Sequence, residues 1–177
     1  MSGDGGGDLT PDGGPDGGPA GGRFVGRTHR YPLRVYYEDT DAGGIVYHAS
    51  YLRFAERARS EMMRGLGCAP AALAARTGVA FAVRRLTIDY RRPAVLDDAL
   101  EVRTQIVNMC GATLTLEQTL FRQETGLATL AVVVFCLGPG GRPVRLPAEV
   151  RAAAGPFLPP ALPEGPVGAS RRARVGS

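Results

Sequence analysis

The stretch Glu38-Asp39-Thr40-Asp41-Ala42-Gly43-Gly44-Ile45-Val46-Tyr47-His48-Ala49-Ser50-Tyr51 decides how the rest of the chain is read. It holds two carboxylates one residue apart, a turn of small residues, a short apolar run and the start of a helix. A strand-like run precedes it over residues 31–38. The clearest helical pattern of the chain follows it, from Ser50 to Leu66, with Gly67 as its stop. An acid is thereby set at a tight turn near the free N–H groups of a helix N-terminus, which favour negative charge. A carboxylate in that position can attack a carbonyl or activate water while the N–H groups hold the oxyanion.

Projected at helical spacing, Tyr51, Leu52, Phe54, Ala55, Ala58, Met62, Met63 and Leu66 share one broad face. Arg53, Glu56, Arg57, Ser60, Glu61 and Arg64 take the other, so the helix lies against a sheet. Arg59 projects into the apolar half. It either snorkels or pairs with Glu56 one turn back, or it reaches a carboxylate near the turn. Residues 70–76 form a short second helix, with Pro70 at its start and Gly78 beyond its end.

Four strands are expected next. In residues 79–90 the apolar parity changes at Arg84-Arg85, which marks a bulge or strong bend. Residues 99–108 bury Leu100, Val102, Thr104 and Ile106. Residues 112–122 bury Leu114, Leu116, Gln118 and Leu120. Residues 127–137 are almost continuously apolar, as in a central or oligomer-facing strand. Short turns at Asn108–Gly111 and Glu124–Gly126 join hairpins, and Arg91-Arg92-Pro93 opens a longer loop. One strand, one long helix and four strands make an α+β domain: a five-stranded antiparallel sheet wrapped around one central helix.

Composition bounds the rest. The chain has 177 residues and a net charge of +4, and all its basic residues are arginine. Without lysine there is no Schiff base and no Walker-type phosphate loop. The arginines are dispersed, unlike the concentrated basic face of a nucleic-acid binder, but a few could meet the phosphates of an anionic substrate such as coenzyme A. The N-terminal residues 1–28 are rich in Gly, Asp and Pro, and residues 155–177 are rich in Pro and Arg. Both are expected to be disordered, leaving one domain over residues 29–154. Cys68, Cys110 and Cys136 show no paired spacing and read as reduced thiols. No stretch is long and apolar enough to span a bilayer.

The remaining chemistry narrows by elimination. There are only two histidines, His29 and His48, with no cysteine pair nearby, so no metal site is expected. No serine sits in a G-x-S-x-G elbow. Carboxylate chemistry assisted by backbone dipoles is left. Taken alone, the Asp-x-Asp pair is also an ordinary turn signal, and His48 an ordinary structural histidine.

The string from Val35 to Tyr51, followed by Glu56-Arg57-Ala58-Arg59, closely resembles the hotdog-fold acyl-CoA thioesterases. Within them it is most similar to the branch associated with the Tol-Pal envelope system, related to 4-hydroxybenzoyl-CoA thioesterase. The resemblance covers roughly residues 31–150 and implies a hotdog fold without a cofactor. It implies that Asp41 is catalytic, as nucleophile or general base, and that the His48 backbone N–H polarises the thioester, with its side chain assisting. Gly44, Ile45, Val46 and Tyr47 would line the approach of the thioester. It further implies an acyl-CoA substrate, a homodimer or homotetramer with sites at the subunit interface, and a cytoplasmic location, peripheral to the inner membrane. Acyl carrier protein is a further candidate partner. Two other roles fit the same scaffold: a non-catalytic acyl-carrier or envelope-complex adaptor, and a hotdog dehydratase, whose Asp/His dyad is not apparent here.

Overall fold

The computed structural model describes residues 21–160. Strand β1 (Arg23–Val25) turns into β2 (Thr28–Arg34). The 18-residue helix α1 (His48–Gly65) and a short α2 (Pro70–Thr77) come next. Strands β3 (Ala80–Tyr90), β4 (Ala99–Cys110), β5 (Thr113–Arg122) and β6 (Thr125–Leu137) follow, then α3 (Ala148–Ala154). All strand pairs are antiparallel, in the order β1-β2-β4-β5-β6-β3. The architecture is the α+β hotdog arrangement, a sheet curled against one long helix.

The core forms between the apolar face of α1 and one parity of each strand. Tyr51, Phe54, Ala55, Ala58, Met62 and Met63 are buried from the helix side. Leu100, Val102, Ile106, Leu114, Leu116 and Leu120 meet them from β4 and β5. Period-2 patterning thus places one face of each strand under the helix. In β3 the register shifts between Val83 and Arg85, which leaves Arg84 as the extra residue. That bulge lets both apolar parities of β3 face the helix side, since an inserted residue inverts the alternation. The continuous apolar run of β6 resolves into two faces. Leu130, Val132, Val134 and Cys136 are buried, and Ala131, Val133 and Phe135 lie on the outer face with partial or full exposure.

Three expectations need correction. The sheet has six strands rather than five, because β1 pairs with β2. Residues 23–28 therefore belong to the domain and not to an extension. Phe24 fastens them, with its ring 5.0 Å from His29 and 4.1 Å from Phe157. Phe157 lies in a 3-10 turn, Gly155–Phe157, so the domain also continues past residue 154. The expected disorder of residues 1–20 and 161–177 lies outside the described residues. Finally, the strand expected over 31–38 ends at Arg34, and Tyr37–Asp39 form a 3-10 turn. The Asp39 carboxylate accepts the Tyr36 N–H at 3.0 Å and bends the chain there.

Close approach explains Gly22. Its φ is +76°, and an added Cβ would lie 2.4 Å from the Arg30 carbonyl oxygen. This keeps β1 tight on His29, whose ring is 1% exposed. Its Nε2 donates to the Gly21 carbonyl at 3.1 Å, and Nδ1 has no partner among the described residues. Burial holds the His29 pKa below its ordinary 6.5, against smaller upward pulls from that hydrogen bond and from Glu61. The unfolded chain thus takes up a proton that the folded chain resists. This site's stabilisation is complete above pH 6.5 and is lost as pH falls below it. A His29→Phe variant is therefore expected to show a melting temperature that drops less on acidification than the parent's. Parallel slopes in the two melting-temperature profiles would contradict this.

Candidate active site

The Asp-x-Asp pair divides into two different environments. Asp39 is buried, and its backbone carbonyl accepts both the Tyr47 N–H (2.8 Å) and the Ser50 hydroxyl (2.9 Å). It fastens the loop to the first turn of α1. One carboxylate oxygen holds the Tyr36 N–H, and the other has the Arg53 guanidinium at 3.9 Å but no hydrogen bond. Asp41, two residues on, is exposed. Its N–H donates to the Ile45 carbonyl and its own carbonyl accepts the Gly44 N–H, both at 3.0 Å. These two bonds close a turn in which Gly44 has φ +76°, a conformation that suits glycine. An Asp41 carboxylate oxygen accepts the Gly43 N–H at 2.8 Å, which aims the side chain.

Beyond the turn, Thr40 and Val46 bridge, and Val46 donates to the Ala94 carbonyl at 2.8 Å. Helix α1 then begins at His48, two residues before the expected start. Ser50 is spent on the Asp39 carbonyl rather than on capping. Among the described residues, the N–H groups of His48 and Ala49 have no acceptor, while that of Ser50 bonds to Tyr47. The first turn of any helix leaves such donors free, and here no side chain covers them.

A cleft of about 420 Å³ opens at this point. It is lined by Asp41, Ile45, Val46, His48, Tyr51, Tyr90, Arg91, Arg92 and Pro93. Four of the six residues singled out from the sequence thus share one cleft. Gly44 shapes the turn behind it, and Tyr47 packs its ring 4.3 Å from that of His48. Tyr90 donates its hydroxyl to the His48 carbonyl at 2.8 Å, and the Tyr51 oxygen accepts the Ala94 N–H at 3.0 Å. Burial raises the pKa of both phenols above 10.0, so they stay neutral at pH 7. Among the described residues no group of three or more His, Cys, Asp or Glu could hold a metal ion.

Sequence reasoning missed Tyr51, Tyr90 and the arginine pair as cleft residues. Tyr51 and Tyr90 read as core. Arg91 and Arg92 are exposed, and Arg91 pairs with Asp89 at 3.1 Å. The available signal was two adjacent cations at a strand exit in a chain without lysine.

Residues 35–154 match the family model described as the thioesterase-like superfamily. The chain is 48% identical over 124 residues to the acyl-CoA thioesterase YbgC of Haemophilus influenzae, covering 70% of this chain and 91% of that one. It is 51% identical over 111 residues to the acyl-CoA thioester hydrolase YbgC of Escherichia coli O157:H7, covering 62% and 82%. Among solved structures, a probable thioesterase from Bartonella henselae superposes with a TM-score of 0.66 at 39% identity. That alignment covers 68% of this chain and 99% of the other.

Proposed function

The chain belongs to the thioesterase-like superfamily, and from that premise we propose that Asp41 and the first turn of α1 carry out its chemistry. The protein is an acyl-CoA thioesterase, releasing a free acid and coenzyme A. The thioester carbonyl lies against the free N–H groups of His48 and Ala49, which hold the oxyanion as the carbonyl carbon becomes tetrahedral. Two routes use Asp41. As a base, it takes a proton from water while the hydroxide adds to the carbonyl. The C–S bond then breaks, and the proton passes to the departing thiolate. As a nucleophile, its carboxylate displaces the thiolate to give an anhydride, which water hydrolyses. Neither route needs a cofactor. Ile45 and Val46 flank the thioester, with Gly44 and Tyr47 behind them. The His48 side chain lies at the cleft edge. Arg91 and Arg92 are placed to meet phosphates of the coenzyme, for which guanidinium groups suit both charge and geometry.

The observation that carries this reading is that an exposed, aimed carboxylate and His48, the uncapped first residue of α1, line one cleft. Free-thiol release from a panel of short, long and aromatic acyl-CoAs tests it. Release from at least one member at a rate well above the uncatalysed one is expected. Acyl-CoA binding without any release would support a non-catalytic adaptor instead.

Two copies pair through β3. It is an eleven-residue edge strand bearing the partly or fully exposed Val83, Leu86, Ile88 and Tyr90, and such an edge is a template for another strand. A tetramer then forms from two such dimers. We place the enzyme in the cytoplasm, peripheral to the inner membrane and associated with the Tol-Pal system, with acyl carrier protein as a further partner. No helix among the described residues is long and apolar enough to cross a membrane.

A further inference from the structure

Tyr90 ends β3 at the rim of the cleft, and its hydroxyl donates to the His48 carbonyl at 2.8 Å. Three contacts aim that hydroxyl. Tyr90 faces Ala128 across the β3–β6 ladder. The N–H groups of Arg91 and Arg92 both donate to the Leu127 carbonyl, at 2.8 and 3.1 Å, which pins the strand exit. The Tyr90 ring meets that of Tyr51 in a T, with centroids 5.4 Å apart and planes at 82°. Leu127, Ala128 and Tyr51 are all buried, so the support is close-packed.

The fold itself has little need of this bond. In an α-helix the carbonyl of such a residue already accepts the N–H four positions on. Strand β3 is already held along its length by β6. The phenol is a second donor to one particular carbonyl, on its second lone pair. That carbonyl belongs to the His48–Ala49 peptide, in the first turn of α1. The other end of the same peptide is the Ala49 N–H, which has no acceptor among the described residues. In a helix the peptide dipoles align with the axis, so such an N–H points out of the helix start while its carbonyl points inward. A hydrogen bond to the oxygen of a peptide polarises that peptide and makes its N–H a stronger donor.

We propose that Tyr90 is a positioning residue for thioester hydrolysis: its hydroxyl fixes the His48–Ala49 peptide and strengthens the Ala49 N–H as a donor to the oxyanion. The inference rests on the hydrolytic reading of the cleft. Solvent can also hydrogen-bond the His48 oxygen, but water must reorient as charge develops, whereas the phenol is set beforehand by β3. The size of the effect follows from its indirectness. Loss of an oxyanion donor itself costs about a hundred- to thousandfold in kcat. Cooperative strengthening is only a fraction of one hydrogen bond, so loss of the hydroxyl should cost about three- to tenfold.

Tyr90→Phe tests this, since it keeps the ring and its contact with Tyr51 and removes the hydroxyl alone. With the acyl-CoA that the parent hydrolyses fastest, kcat should fall about three- to tenfold, with KM within about twofold and the melting temperature little changed. Infrared spectroscopy of a bound ketone analogue of that acyl-CoA supplies a readout that a merely structural role leaves unmoved. The analogue has a methylene between carbonyl and sulfur and an isotopic label on the carbonyl carbon. Its labelled carbonyl stretch should lie at lower frequency in the parent than in Tyr90→Phe, because a stronger donor weakens the carbonyl bond more. A folded Tyr90→Phe with the parent's kcat, or with the parent's carbonyl stretch, overturns the inference and leaves the hydrolytic reading standing. A variant without a cooperative melting transition overturns it too, since the hydroxyl would then serve the fold. Absence of thiol release from every acyl-CoA by the parent removes the hydrolytic reading and this inference together.

Discussion

Replacing Asp41 with asparagine is expected to lower acyl-CoA hydrolysis by at least about a hundredfold, the lower end of what a positioned general base contributes. The loss should be larger if the carboxylate is the nucleophile, because an amide can neither attack the thioester nor leave from an anhydride. The fold should be untouched. Asp41 is exposed, and the one hydrogen bond its side chain accepts among the described residues, from the Gly43 N–H, can be kept by the asparagine carbonyl. The loss should therefore appear in kcat with KM little changed, since the N–H groups of α1 and the walls of the cleft remain. Steady-state thiol release, beside the melting temperature of each variant, separates a chemical effect from an unfolded protein. Parent-like turnover in Asp41→Asn across all acyl chains would exclude this residue.

The second large effect concerns stability. Phe54→Ala is expected to destabilise the domain by about 3–5 kcal/mol, as for other buried aromatic truncations. Phe54 has no exposed surface and sits at the centre of the α1 face that covers the sheet, with the Arg57 guanidinium 5.5 Å from its ring centroid. The neighbouring buried side chains, Tyr51, Ala55 and Ala58, belong to the same rigid helix and cannot close the space. The melting temperature should fall by on the order of 10 °C. A fall within experimental error would mean that the helix is not packed on the sheet as described.

Much of this was readable because the periods are clean. β4 alternates cleanly from Leu100 to Ile106 and β5 from Leu114 to Leu120, so the sequence puts Thr104 and Gln118 on the buried parity despite their being polar. The break at Arg84 betrayed itself by inverting the parity of β3. Partners far apart along the chain were not readable. Arg59 pairs with Glu56, as local spacing suggests, but its second partner is Gln118, on another element. Strand β1 is held by contact of Phe24 with Phe157, and neither residue's short, glycine- or proline-rich surroundings signal burial. The two acids of the Asp-x-Asp pair look alike in sequence. Their difference arises from which backbone N–H groups each meets: Asp39 turns inward to that of Tyr36, and Asp41 stays outside on that of Gly43.

Hydrolysis by this route depends on one carbonyl meeting both the tip of α1 and the Asp41 carboxylate. A crystal structure with a non-hydrolysable thioether analogue of a short acyl-CoA, carrying a ketone in place of the thioester carbonyl, measures this directly. The ketone oxygen is expected within hydrogen-bonding distance of the His48 N–H, with an Asp41 oxygen, or a water held by it, facing the carbonyl carbon. A ketone bound elsewhere, with Asp41 turned to solvent and the first turn of α1 unoccupied, would contradict it.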